Sequence, residues 1–522
     1  MKTTPSIGSL VLLGAAAFLS ACSGGQSGDS IPTSDAFELA DQAVQGDTQE
    51  EIDVLEPDTP LDNATPETGL SRLSAKGKLI VNEDGETVVL KGLNLGGWLF
   101  HETWITQVDY ALTSRISALG HKLGIGEDVD AELALGSPTW GSETFLDAFE
   151  PGLAQRIGAE EAAEFVKTAK GYFPGVYDDS DVPLRRKLAQ RFGEEGRNEL
   201  LAAFEEAWIQ EKDIQWIAQQ GFNVVRVPIT YRSLVTGPDL DKPATLDWND
   251  AAFQRLHTLM GWCEKHGVYA VIDIQESPGG HNDYFGTAQL YADPKMQELT
   301  VQLWVEIATR LGHYDSVAAY SLLAEPMGAP DAAARDDVYD KLVKAIRALG
   351  DDHLVVIHDG FLGMNTLPKP DQYGWTNVVY STHLFEFSAD SFDYWKTIVD
   401  FYHNPVFTEA QAKQNVPYYM GSFSARAEAD WAYEVVEMLM EWFDGKGWSW
   451  SMWTYKRIDD PIEKRIWNKE SSYGLVGRLE GDFDRPDVFD DDFETLKAKF
   501  SAYDTIDLKP NQRLLDVLTP WL

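Results

Sequence analysis

Cysteine is nearly missing: Cys22 and Cys263 are the only two in 522 residues. Two thiols cannot build a disulfide framework or a cysteine-rich metal site. Basic residues are scarce as well. Lys and Arg number 43 against 84 Asp and Glu, a formal net charge of −41. A surface that acidic repels phosphate backbones, which argues against nucleic acid as a partner. It leaves a neutral or cationic partner, or simple solubility in salt. HExxH, P-loop and strand-borne GxGxxG patterns do not occur, and no metal or organic cofactor is implied. The apolar run Ile7–Leu19 is too short to stay in a bilayer as a permanent helix.

That run follows Lys2 and reads as the h-region of a signal peptide over 1–21. It ends in Leu19-Ser20-Ala21-Cys22, which resembles the lipobox of bacterial lipoproteins. The resemblance implies that Cys22 becomes the lipid-carrying N-terminus. Ser23 after it, in place of Asp, implies the outer membrane. The alternative is an ordinary signal peptide cleaved after Ala21. Residues 23–70 hold 12 Asp/Glu and no Lys or Arg. Such a stretch repels itself and buries little, so 22–70 is expected to be a disordered acidic tether. With Cys22 at an anchor, Cys263 has no partner. It falls in a helical stretch, Leu256–His266, and reads as a buried small hydrophobe.

What is abundant is apolar: 44% of residues are hydrophobic, with 17 Trp and 20 Tyr. A large core can form. Most of the aromatics belong in it, although an exposed ring face also covers the C–H face of a pyranose. Leu79–Asn82 and Thr87–Leu90 flank Glu83-Asp84-Gly85, a hairpin signal. After it, short apolar runs alternate with amphipathic helical stretches. The candidate strands are 91–95, 223–227, 269–273, 316–323, 354–358, 378–382, 417–421 and 448–453. The fold class is therefore α/β: a (β/α)8 TIM barrel over 71–522, with an N-terminal β-hairpin. The charged, helical stretch 105–215 is expected to be a large insertion between strands 1 and 2, lying over the barrel top. No internal repeat and no second C-terminal domain is visible.

Lys91-Gly92-Leu93-Asn94-Leu95-Gly96-Gly97-Trp98-Leu99-Phe100-His101-Glu102-Thr103-Trp104-Ile105 resembles the opening strand of glycoside hydrolase family 5, in its exo-β-1,3-glucanase branch. Six further segments are similar, in order. They are Gly221–Ile229 with Arg226, Tyr269–Asp273, Glu325-Pro326, Val355–Asp359, His383, and Trp453-Thr454-Tyr455-Lys456. That family hydrolyses β-glucosidic bonds with retention, which needs a nucleophilic carboxylate and an acid/base about 5–5.5 Å apart. The resemblance implies that Glu325 is the acid/base and that Glu102, Arg226, His383 and Trp453 line the sugar site. The competing reading of Glu325 is a structural carboxylate bonded to Arg226 or to a backbone N–H. Those of Trp453 and His383 are a core ring and a structural imidazole.

The nucleophile is missing. Where the family has Gly-Glu-Phe/Trp-Ser, this chain has Gly421-Ser422-Phe423-Ser424. A serine without a neighbouring base forms no glycosyl-enzyme. Ala324 stands for the family's Asn, Gln275 for its strand-three His, and Phe385 for the Tyr of His-x-Tyr. Four changes around one sugar form a coherent rebuild. New acids stand near the rim: Glu276, Asp283 and Glu386. Each is first a solvated charge; Glu276 is also a candidate base.

Two functions follow. One is an enzyme on β-linked glucans by a non-retaining route, with Glu325 as acid and a water activated by Glu276 or another rim carboxylate. The other is a lipid-anchored β-glucan-binding protein without turnover. A transglycosylase or lyase has no positive feature. The expected cleft is lined by Trp98, Trp104, Tyr231, Phe385 and Trp453.

Overall fold

The computed structural model describes residues 69–108, 112–135, 145–172, 181–237, 243–282, 288–386, 389–425, 430–458, 474–479 and 484–522. The signal segment with Cys22, the tether up to residue 68, and Asp283 lie outside them.

Among the described residues, eight parallel strands close a barrel in sequential order. They are β1 (Lys91–Asn94), β2 (Val224–Thr230), β3 (Tyr269–Glu276), β4 (Val317–Ser321), β5 (Leu354–His358), β6 (Val378–Leu384), β7 (Tyr418–Phe423) and β8 (Ser449–Met452). All eight expected strands are present. β8 returns to β1 through Trp450↔Lys91 and Met452↔Leu93. Both faces of such strands are covered, so they read as continuous apolar runs rather than as alternation.

The two faces nevertheless carry different cores. Leu93, Val225, Val227, Ile272, Ile274, Val355, Ile357, Tyr380, Met420 and Trp450 pack outward under the helices. Val224, Val271, Ala319, Val356, Val379 and Tyr419 belong to a separate inner cluster. That cluster continues into Leu73, Ile80 and Leu90. The N-terminal segment therefore plugs the bottom of the barrel, beneath the N-terminal ends of the strands.

The hairpin is shifted from its expected place. Ser74–Lys76 pairs antiparallel with Leu79–Val81 around a two-residue loop, Gly77-Lys78. Gly77 takes φ +61°, as such a loop requires. The expected partner strand, 87–90, contributes only the bridge Val81↔Thr87 and the Val88 N–H bond to Ile80 O.

Between β1 and β2 the described residues are mostly helical. Leu112–Leu123, Gly126–Leu133, Phe145–Ile157 and Ala159–Tyr172 share a small core of their own, including Ile116, Val129, Leu153, Phe165 and Val166. The segment Asp181–Trp208 is two helices meeting at Gly193, where φ is 73°. It packs on the barrel: Trp208 Nε1 donates to Gly96 O at 3.0 Å, and Arg185 Nη2 to Ser233 Oγ at 2.6 Å. Both acceptors lie beyond the C-terminal ends of strands, so this part of the insertion sits on the barrel's upper rim. The C-terminal residues Leu496, Phe500, Leu514 and Leu518 join the main core. Cys263 is fully buried in the helix Asp250–His266, and burial pushes its thiol pKa up.

Candidate active site

Above the apolar inner cluster the barrel interior turns polar. Asn94 on β1, Arg226 on β2 and Asp273 on β3 follow the inner apolar residues at a spacing of two, so they face the axis. Arg226 is buried and fully engaged through its two terminal nitrogens. Nη2 lies 2.8 Å from Asp273 Oδ2 and 3.3 Å from Gln275 Oε1, and Nη1 donates to Asn94 Oδ1 at 2.7 Å. Asn94 Nδ2 reaches the carbonyls of Gly421, Ser451 and Met452 at 3.0–3.2 Å. One side chain thus ties Arg226 to β7 and β8. Burial raises the Asp273 carboxyl above its ordinary range, while Arg226 and a hydrogen bond from Ser321 oppose the rise.

Glu325 follows β4 and takes a left-handed backbone, φ +51°. Its side chain is 15% exposed, and Oε1 lies 2.5 Å from His383 Nδ1 on β6. Burial pushes the carboxyl up to about 7, against the pull of Arg226 and His281. Burial, and then the Arg226 charge, hold the His383 imidazole well below its usual range, so it is neutral. A neutral imidazole serves both forms of its partner. Its Nδ1 accepts from a protonated Glu325, or carries the proton and donates to the carboxylate.

Ser422 reaches the axis through a bulge. Thr382 pairs with Met420 and His383 with Ser422, which leaves Gly421 without a partner. Met420 and Phe423 both pack outward although they are three residues apart. The extra residue turns Ser422 inward, as bulges beside active sites do. Gly421 is needed there, because a Cβ would meet Ser381 Oγ at 2.9 Å and His383 Nε2 at 3.1 Å. Ser422 is 2% exposed, and its Oγ has no hydrogen-bond partner among the described residues.

Three groups here had no role in the sequence reading: Asn94, Asp273 and His358. His358 Nδ1 accepts from Gly360 N at 2.9 Å, which puts its proton on Nε2. Its ring stands edge-on to His383, with centroids 4.4 Å apart. All three lie in quoted strand segments. Inward parity counted from the apolar inner residues is the signal that finds them.

Trp453 follows β8, is 8% exposed, and brings its ring against Gly96. Phe385 is partly buried against the main core. Glu102 opens the short helix Thr103–Thr106, to which Trp104 belongs.

Other expected site residues lie elsewhere. Tyr231 is fully buried, beneath the Arg232 guanidinium, because Thr230 caps a helical turn that carries it into the core. Trp98 is 1% exposed and donates Nε1 to Glu205 O at 2.6 Å, under the inserted helix. Neither ring can line a cleft. Glu276 is buried and ion-paired with Arg232, with Thr230 Oγ1 3.3 Å away. The register explains it: Ile229 pairs with Ile274 and Thr230 with Glu276, so Gln275 alone turns to Arg226. Glu386 is bonded to His403 Nε2 at 3.1 Å. Among the described residues, no three His, Cys, Asp or Glu side chains converge as metal ligands would.

A closed (β/α)8 barrel with a buried carboxyl at the exit of its fourth strand defines a TIM barrel of the glycosidase kind. A family profile described as cellulase, glycosyl hydrolase family 5, matches residues 192–458, and the chain belongs to that family. The match runs from the last inserted helix through β8. β1 lies before it, cut off by the insertion. A beta-xylosidase of Phanerodontia chrysosporium is 24% identical over 74% of this chain and 71% of its own. Glucan 1,3-beta-glucosidase 2 of Saccharomyces cerevisiae is 28% identical, over 39% of this chain and 40% of its own. The glucan 1,3-beta-glucosidase of Pichia angusta is 26% identical, over 47% and 54%. The chain thus spans about half the length of these two glucosidases. Among solved structures, an endogalactoceramidase is similar at 17% identity and a TM-score of 0.47, over 83% of this chain and 85% of its own.

Proposed function

We propose that the barrel acts on β-glucosidic O-linkages of a glucan, as a glycoside hydrolase that forms no covalent glycosyl-enzyme. One observation carries this reading. A carboxyl still half protonated near neutral pH, Glu325, is held by His383, and His383 is paired across β6–β7 with a serine, not a carboxylate. Glu325 gives its proton to the glycosidic oxygen. A water attacks the opposite face of the sugar from the side of Ser422, and the anomeric centre inverts. That layout needs a second carboxylate about 6.5–9.5 Å from the first. Glu276 is engaged by Arg232 and Glu386 by His403, so the inverting route requires a further carboxylate as base.

The engagement of Glu276 is also the observation that favours a second reading, a glucan-binding protein without turnover. In both readings Trp453 is the platform beneath the sugar, and Cys22 carries the lipid that tethers the barrel to the outer membrane. A panel of soluble β-glucans, with product release followed by NMR of the anomeric proton, separates the two. Release of an α-product supports the hydrolase. Calorimetric binding without release supports the binder. Laminari-oligosaccharides and cello-oligosaccharides giving neither heat nor product sink both.

A further inference from the structure

We propose that His281, in the loop after β3, is a positioning residue for Glu325: its ring holds the peptide before the acid and thereby keeps the carboxyl on His383. The chemistry that follows rests on the reading of Glu325 as the acid. The hold itself does not.

Glu325 sits at φ +51°, a region that residues with a long side chain rarely adopt. Something must hold it there. Met327 N–H donates to Glu325 O at 2.6 Å, and Ala324 N–H to Ile274 O at 2.9 Å. Those two bonds lie on the flanking peptides; on the 324–325 peptide itself, Ala324 O is taken by His281 Nε2 at 2.6 Å. The donor is fixed. Ser277 N–H donates to His281 Nδ1 at 3.2 Å, so Nδ1 holds the lone pair and Nε2 the proton. The loop is fastened in turn, since His281 O accepts from Gly328 N at 3.1 Å and from Tyr291 Oη at 3.3 Å. His281 is fully buried, and burial lowers its pKa to about 4. Glu325 is the nearby charge that opposes that fall. At any pH where the site could work, the ring is neutral and its tautomer constant.

Without this bond the 324–325 peptide is free to turn, and Glu325 can leave His383 for solvent. An exposed carboxyl returns to its ordinary titration range. His281 would then set how much of Glu325 is protonated at neutral pH without touching substrate.

The test uses the full chain with 13C-labelled glutamate, Glu325 being assigned by its loss in Glu325→Gln. In the unaltered protein Glu325 should titrate near 7; in His281→Phe, which keeps the ring volume, its midpoint should fall toward 4.5. His281→Gln places an amide N–H at similar reach and should restore most of the difference. If His281→Phe titrates like the unaltered protein, the proposal is overturned. If that variant does not fold, 15N NMR of the His281 ring decides. A hydrogen-bonded Nε2–H that persists below pH 5 supports the hold, and an Nδ1–H tautomer or a midpoint near 6.5 overturns it. A Glu325 midpoint already near 4.5 in the unaltered protein overturns the acid reading instead. A hydrogen-bonded Nε2–H on His281 in that sample would still support the hold on Ala324.

Discussion

Glu325 Oε1 lies 2.5 Å from His383 Nδ1, and both groups are uncharged at the pH where an ordinary carboxyl has long ionised. Glu325 follows β4 and His383 lies near the end of β6, at the same end of the barrel, with Ser422 directly beside His383 in the sheet register. In the proposed reading Glu325 is the proton donor, and Ser422, an uncharged side chain, stands where the opposing carboxylate is expected. Arg226 is a cation, held through its terminal nitrogens by Asp273, Asn94 and Gln275, and supplies no negative charge there.

The first prediction concerns pH. Glu325 works as an acid only while protonated, so hydrolysis should fall as pH rises through about 7. Stability should move the same way. The folded protein holds this proton up to about 7, whereas an unfolded chain releases it near 4.5. Between those values the folded state binds more protons, so its stability falls with rising pH. The cost is on the order of 3 kcal/mol by pH 7. Urea denaturation at pH 5 and pH 7.5 should show Glu325→Gln gaining on the unaltered protein at the higher pH. Parallel curves at both pH values would contradict the raised titration of Glu325.

The second concerns the polar layer. Asp273→Ala leaves the Arg226 guanidinium buried without its counter-charge, and breaking such a pair costs about 3–5 kcal/mol. Asn94→Ala removes a neutral acceptor and an amide NH2 whose two hydrogens are shared among β7 and β8 carbonyls, and should cost less, about 1–3 kcal/mol. Chemical denaturation midpoints measure both. Equal, small losses would mean that water reaches Arg226.

The barrel was legible because its strands are buried on two faces and stand out as apolar runs between helical periods. Arg226, Gln275, Glu325, His383 and Ser422 were legible through the segments that carry them, and they do converge. Side-chain direction was not. Glu276 follows Gln275 directly, yet the skipped register at Gln275 sends it to Arg232. Ser422 faces the axis only because Gly421 is passed over. Such one-residue bulges leave no mark in the pattern of apolar residues. Tyr231 and Trp98 failed for a related reason: a ring that could serve a sugar or a core looks the same in sequence. The shift of the hairpin to Gly77 reflects two usable turns, at Gly77 and at Gly85, within ten residues.

A third prediction concerns attachment. If Cys22 carries lipid, Cys22→Ala should move the protein from the membrane pellet to the soluble fraction without changing the barrel's unfolding midpoint. Detergent partitioning of the two proteins checks it. A Cys22→Ala protein that still partitions with membranes would mean that another contact holds it there, and the lipid-anchor reading would fail.

The last prediction is mechanistic. Ser422 brings no charge, and among the described residues its Oγ makes no hydrogen bond to a base, the neighbouring His383 included. A covalent glycosyl-enzyme should therefore not form, and fluorosugar inactivators should leave the intact mass unchanged. Hydrolysis, where it occurs, should release the α-anomer in the first minutes of an NMR time course. Glu325→Gln should lower kcat by about 10²–10⁴-fold, the usual contribution of a general acid. Ser422→Ala should change it much less. Ser422→Glu is the harder case. It returns a carboxylate to a buried place beside His383, but Ala324, Gln275 and Phe385 stay as they are. The added carboxyl would also meet Glu325 at close quarters, and two neighbouring carboxyls do not ionise together. Ser422→Glu alone should thus give little retaining activity. A β-product from the unaltered protein would mean that another carboxylate has taken over as nucleophile, and Ser422 would no longer mark the lost step.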